Sequence, residues 1–196
     1  IYDRLVYARP HTCIASIAGA RERTILLNGF SKAYAMTGWR LGYACATGET
    51  AGAIARIHQY SMLCAPHIAQ RAALEAVLCA ETQVLEMAAD YDLRRRFLVR
   101  GLNAIGLDCF EPSGAFYAFP SVAGTGLSSE EFADALLVEE RVVVVPGTAF
   151  GPAGEGFVRC CYATAMEHLE EALERMRRFM ERRPTTAPTK VLARAG

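Results

Sequence analysis

Apolar residues recur with different periods along this chain, and the change of period divides it. From Ile1 to about Gly48, short β-prone runs ("IYDRLVYA", "TILLNGF", "RLGYACA") alternate with Gly, Pro, Ser and Thr, which predicts strands separated by loops. From Glu49 to about Ala80 the spacing turns helical, and Pro66, which lacks the N–H a helix interior needs, interrupts it. A longer helix is expected over 81–104: Val84, Met87, Ala88, Tyr91, Leu98, Leu102 and Ile105 fall near helical spacing. Arg94, Arg95, Arg96 and Arg100 then form its charged side. Such a cluster can hold phosphate, but a solvated helix face is the simpler reading.

The second half mixes both periods. "FEPSGAFYAFPSV" reads as a strand entered through a Pro/Gly turn, and "RVVVVPG" and "GFVRCCYA" as two more. Ser128 with Glu131 has the spacing of a capping box, so a helix should start there with Phe132, Leu136 and Leu137 facing inward. Thr164 with Glu167 has the same spacing ahead of a last helix, where Met166, Leu169, Leu173, Met176 and Met180 recur at intervals of three and four. After Arg183 the segment "PTTAPTKVLARAG" has no periodicity and is expected to be a loose tail over 184–196. The order of elements predicts an α/β protein with a boundary near residues 80 to 105: a first domain at 1–80, and 81–183 holding an interdomain helix and a smaller second domain.

Composition narrows what such a chain can do. At 196 residues and 52% hydrophobic it can bury a sizeable core. Its 21 basic and 21 acidic side chains cancel, which argues against nucleic acid or an anionic membrane as the main partner. No stretch makes the apolar block of roughly 20 residues that a membrane helix needs. The seven cysteines form no C-x-x-C pair and read as reduced core residues of a cytoplasmic protein. No spacing of His, Cys, Asp or Glu suggests a metal site.

The candidate chemistry lies in "NGFSKAYAMTGWRLGYA". Lys32 is set among Phe30, Tyr34, Met36 and Trp39, surroundings that make a lysine amine available as a nucleophile toward a carbonyl. Alternatively its stem packs on apolar surface while its ammonium reaches water. Arg40 follows a turn-like "MTGW" and can swing back toward Lys32, or it can pair with Glu49 or Asp3. An amine beside a permanent fork of donors suits a phosphorylated aldehyde, because the phosphate needs the guanidinium and the aldehyde needs the amine. Downstream, Phe157, Arg159 and Cys161 share one face of an expected strand. Arg159 therefore projects from an apolar side and needs an anion, either an incoming carboxylate or a distant Asp or Glu.

The Lys32 segment resembles the cofactor-lysine signature of the class I and II aminotransferases, pyridoxal-phosphate enzymes of fold type I. The resemblance extends over nearly the whole chain. It implies that Lys32 forms the Schiff base with pyridoxal 5′-phosphate, that Arg40 and Ser31 help hold the phosphate, and that Tyr2 in "IYDRLVY" bonds the cofactor's phenolic oxygen. It also implies that Arg159 in "PGTAFGPAGEGFVRCCYA" binds the substrate α-carboxylate. The residue three before the lysine, often a phosphate-contacting serine in relatives, is Gly29 here. The same resemblance implies that Phe116 or Tyr117 lines the substrate entrance, with core packing as the alternative, and that Tyr60 falls where relatives pass near a subunit interface.

By that resemblance the chain is the C-terminal portion of an aminotransferase: the last part of the large-domain sheet plus the α/β small domain. The aspartate that pairs with the pyridine nitrogen would precede Ile1, so the chain alone is expected to be a poor catalyst. The implied reaction moves an amino group between an amino acid and a 2-keto acid, in a cytoplasmic homodimer. A pyridoxal-phosphate C–S β-lyase of the same fold, or a non-catalytic ligand-sensing module, would share these motifs.

Overall fold

Pairing partners, more than propensity, decide which β-prone runs become strands. The computed structural model describes residues 1–183, so the expected tail at 184–196 lies outside the described residues. The chain divides into two compact units. The first is Ile1–Ala89 with Ser113–Ala115, and the second contains Asp90–Pro112 and the described chain from Phe116 onward.

In the first unit, β1 (Leu26–Gly29) and β2 (Gly42–Cys45) form an antiparallel ribbon with Leu26 opposite Cys45 and Gly29 opposite Gly42. Between them lies the single turn of α1 (Phe30–Ala33). The expected strand at 1–8 is not formed. Only Val6 makes a bridge, to Gly114, because the short segment 113–115 is all that lines up with it. Two helices follow, α2 (Gly48–Ser61) and α3 (His67–Cys79). Leu63 takes a left-handed φ of 63° and its N–H closes on the His58 carbonyl, and Pro66 then caps α3. On α3 only Ala69 and Ala73, one helical turn apart, are buried.

Helix α4 spans Glu81–Ala104, as its apolar spacing predicts. Val84, Leu98 and Leu102 are buried. The expectation of a wholly solvated arginine face fails at Arg95, which is only 6% exposed. Its Nε donates to Asp92 at 2.9 Å and its Nη1 to Glu111 at 3.1 Å, so acids supplied from the same helix and the following loop allow the charge to be buried.

The second unit holds a three-stranded antiparallel sheet of order β3-β5-β4, with β3 at Tyr117–Ala118, β4 at Val145–Pro146 and β5 at Val158–Cys161. The runs expected as full strands shrink to two residues in β3 and β4: Pro120, which cannot donate to a ladder, follows shortly after β3, and β5 pairs with only Val145 and Pro146 of the other run. Helix α5 (Ser129–Glu140) starts on the predicted capping box: Ser128 Oγ accepts from Glu131 N at 3.3 Å, and Ser128 N donates to Glu131 Oε2 at 2.9 Å. Phe132 and Leu136 are buried as expected, but Leu137 is exposed, since the inward face runs through 132, 133, 136 and 140.

Helix α6 (Met166–Glu181) buries Leu169, Leu173, Met176, Phe179 and Met180, and Phe179 meets Phe132 edge-on at 5.3 Å. The Thr164–Glu167 capping box does not form. The helix starts one residue late, with Ala165 at the cap, and Thr164 Oγ1 lies 3.1 Å from His168 Nδ1 instead. Glu140, buried at the end of α5, takes Arg178 at 2.8 Å and Arg182 at 2.7 Å. All seven cysteines are free, but only Cys109 and Cys160 are buried, so the core reading holds for those two. Cys45, Cys64, Cys79 and Cys161 are exposed.

Candidate functional site

The ribbon β1–β2 exists to hold its connecting loop. Gly42 sits so close to the opposite strand that a Cβ there would lie 2.8 Å from the Asn28 carbonyl oxygen. The strands can therefore meet at the Gly29–Gly42 pair and launch residues 30–41 together. The Phe30 N–H then donates to the Leu41 carbonyl at 3.2 Å, which closes the base of the loop. Phe30 also packs against Tyr34 at 5.6 Å and against Tyr43 at 5.7 Å. Burial, with the nearby Asp3 charge adding to it, pushes the Tyr43 phenol above its ordinary value.

Inside this loop Ser31 and Lys32 are half-buried on α1, and Ala33 and Met36 beneath them are buried. Two residues take left-handed backbone, Ala35 and Arg40, each with φ of 53°. Trp39 ends the short 3₁₀ turn Thr37–Trp39 directly before Arg40. A chain of hydrogen bonds then joins the two ends of the loop: Arg40 Nη1 donates to the Thr37 carbonyl at 2.9 Å, and Thr37 Oγ1 donates to the Ser31 carbonyl at 3.1 Å. The structure thus ties Arg40 to the residue next to Lys32. It does not form the expected alternative pair of Arg40 with Glu49 or Asp3; Asp3 accepts instead from Asn28 Nδ2 at 3.1 Å.

Asp3 on Asn28, and the Ile1 side chain 3.5 Å from where a Gly29 Cβ would be, hold the first residues against the end of β1. Tyr2, half-buried between them, accepts at its carbonyl from Leu5 N at 2.9 Å.

Arg159 belongs to the second unit. It lies on β5 opposite Val145 of β4, on the face away from the buried Val158 and Cys160. No acid approaches it among the described residues, so the structural-partner alternative is not realised. Its guanidinium carbon lies instead 4.3 Å from the centre of the Tyr117 ring and 4.6 Å from that of Phe150. Phe116 is buried as a core residue, while Tyr117 is half-buried beside the arginine. Burial pushes the Cys160 thiol up to about 12, which removes it as a nucleophile. Tyr60 is exposed. Among the described residues no cluster of three metal-ligating side chains occurs, and no helix is long and apolar enough to cross a membrane.

Sequence reasoning missed two residues that shape these regions: Thr37 carries the link between Arg40 and Ser31, and Ser129 anchors the loop that leads into β5. The Thr in "MTGW" was the one available signal, as a hydroxyl inside a turn.

The sequence profile of the family described as aminotransferase class I and II matches residues 1–176. YugH of Bacillus subtilis, by name an aminotransferase, is 53% identical over 93% of this chain and 47% of its own length. An aspartate aminotransferase of Pyrococcus abyssi is 44% identical over 95% of this chain and 49% of its own length. The crystal structure of an aromatic aminotransferase from Pyrococcus horikoshii superposes with a TM-score of 0.91 at 46% identity, covering 93% of this chain and 50% of that one. The chain spans about half the length of the curated relatives it matches.

Proposed function

The chain belongs to the class I and II aminotransferase family, and from that premise we propose that it carries the cofactor lysine and the carboxylate-binding arginine of a pyridoxal-phosphate transaminase. The reaction is transfer of an amino group between an amino acid and a 2-keto acid. A cytoplasmic homodimer is part of the same reading.

The observation that carries it is the hydrogen-bonded loop 30–41, which holds half-buried Lys32 and exposed Arg40 in fixed register. The donor set suits the cofactor. Arg40 has further N–H groups beyond the one given to Thr37, and the Ser31 hydroxyl takes no partner among the described residues, so both are free to hold a phosphate. Bound pyridoxal phosphate would supply an aldehyde for the substrate amine and a ring that accepts the electron pair left when the α-proton departs.

The chain's own residues do the rest. Lys32 Nζ takes the proton from the substrate α-carbon and returns it, as general base and then acid. Tyr2 would hold the cofactor by donating to its phenolic oxygen. Arg159 receives the α-carboxylate edge-on through two parallel N–H groups, which fixes how the substrate is turned.

Borohydride reduction of the protein after incubation with pyridoxal phosphate should fix a mass label on the peptide that contains Lys32. Lys32→Ala should lose that label while keeping the wild-type melting temperature. A label found elsewhere in the wild type, or retained in the variant, ends this reading of Lys32.

A further inference from the structure

Phe150 is a large aromatic ring left 52% exposed, at the end of the 3₁₀ turn Gly147–Phe150. A ring in that position gains little from burial, yet the surrounding backbone is built with unusual closeness. Gly147 and Gly154 approach so tightly that a Cβ on either would lie 2.0 Å from the other's carbonyl oxygen, and Gly147 N donates to the Phe157 carbonyl at 2.8 Å. Phe119 supports the ring at 6.0 Å, edge to face, and is itself stacked on Phe157 at 5.6 Å. Tyr117, the other ring beside Arg159, rests on buried Phe116 at 4.8 Å.

We propose that Phe150 and Tyr117 are positioning residues that clamp the Arg159 guanidinium for carboxylate recognition, an inference that rests on Arg159 being the carboxylate ligand. The guanidinium plane is weakly hydrated and stacks readily on aromatic faces, and the negative face of each ring attracts it. Rings centred 4.3 and 4.6 Å from the guanidinium carbon pack against it, and stacking of that kind leaves a guanidinium's in-plane N–H edge to an anion. No carboxylate of the described chain satisfies that edge. The clamp therefore orders a long side chain before any ligand arrives, so the ordering cost is not charged to binding. Phe150 does this through Arg159 and not by touching the substrate's side chain.

The test uses two probes with the same carboxylate and different bulk, pyruvate and phenylpyruvate, titrated into the protein while the Arg159 Nε–H resonance is followed. Phe150→Leu and Tyr117→Leu should each weaken both probes by about five- to tenfold, the loss of a partly desolvated cation–π contact. Both should also move the Arg159 resonance in the ligand-free protein. Phe150→Trp and Tyr117→Phe keep a ring and should stay within about twofold of wild type. Arg159→Lys should weaken both probes more than any of these.

If Arg159→Lys binds like wild type, or if wild type gives no response, the carboxylate reading fails and the clamp with it. If Arg159→Lys weakens binding but the leucine variants do not, the clamp alone is overturned. A loss confined to phenylpyruvate also overturns it, because it would mean direct contact with the side chain. Should a leucine variant unfold, the ring-retaining variants and the other leucine variant carry the comparison.

Discussion

Ser129→Ala should destabilise the second unit by about 2 kcal/mol, more than removal of the neighbouring helix cap. Ser129 is fully buried, and its Oγ accepts from Gly156 N at 2.9 Å and from Phe157 N at 3.2 Å. Phe157 N keeps a second acceptor, the Gly154 carbonyl at 3.2 Å, but Gly156 N has no other among the described residues. Alanine nearly preserves the volume and removes the acceptor. One stranded N–H costs about 1–3 kcal/mol, and the shared bond adds about 0.5–1. With a urea m-value of about 2 kcal/mol/M, the midpoint should fall by about 1 M.

Ser128→Ala provides the comparison. It deletes the capping box that sequence alone identifies, for about 1 kcal/mol. Urea denaturation followed by circular dichroism gives both midpoints, and amide exchange at Gly156 reads the local loss directly. The reasoning is refuted if Ser128→Ala costs as much as Ser129→Ala, or if Gly156 exchanges no faster in the Ser129 variant.

Asp92 gives a pH-dependent case. Its carboxyl is held below its ordinary 3.8 chiefly by the Arg96 hydrogen bond, with Arg95 adding to it against the effect of burial. A depressed folded value means that this stabilisation is complete above 3.8 and is lost as pH falls through the lower folded value. The stability gap between wild type and Asp92→Asn should therefore be open near pH 6 and close toward about pH 2; denaturant titrations at both settle it, and an equal gap at both would contradict the assignment. Gly101→Ala tests packing of α4 on α6. Alanine normally gains about 1 kcal/mol inside a helix, but its Cβ would meet Leu173 Cδ1 at 2.4 Å. Overpacking of about 1–3 kcal/mol should turn the gain into a net loss, and adding Leu173→Ala should relieve the clash; a raised melting temperature for the single variant would show that Leu173 moves freely.

Helices were legible in the sequence and strands only partly so, for a physical reason. The spacing of Val84, Leu98 and Leu102, or of Leu169, Leu173, Met176 and Met180, reports burial by a helix's own geometry, and α4 and α6 follow it. A strand depends on a neighbour that sequence does not display, which is why "RVVVVPG" contributes only Val145–Pro146 to the sheet. Caps fall between these cases. Ser128 works because the helix starts beside it, while Thr164 misses by one residue.

The candidate regions show the same division. Lys32, Arg40 and Arg159 stand out by residue type in apolar runs. What fixes them does not: the Thr37 relay and the ring of Phe150 come from chain segments whose approach is a tertiary fact. Arg95 shows the converse, a residue that composition places in water and two acids permit to be buried.

The chain's sole tryptophan is Trp39, and it occupies the turn directly before Arg40, 43% exposed. The indole is thus a built-in fluorophore mounted on the loop that carries Lys32. Any ligand that settles against Arg40 must alter the polarity around it, so emission colour and quenching give an optical readout of that loop with no dye attached. Excitation at the red edge of the indole band, where tyrosine does not absorb, separates this signal from that of the eight tyrosines.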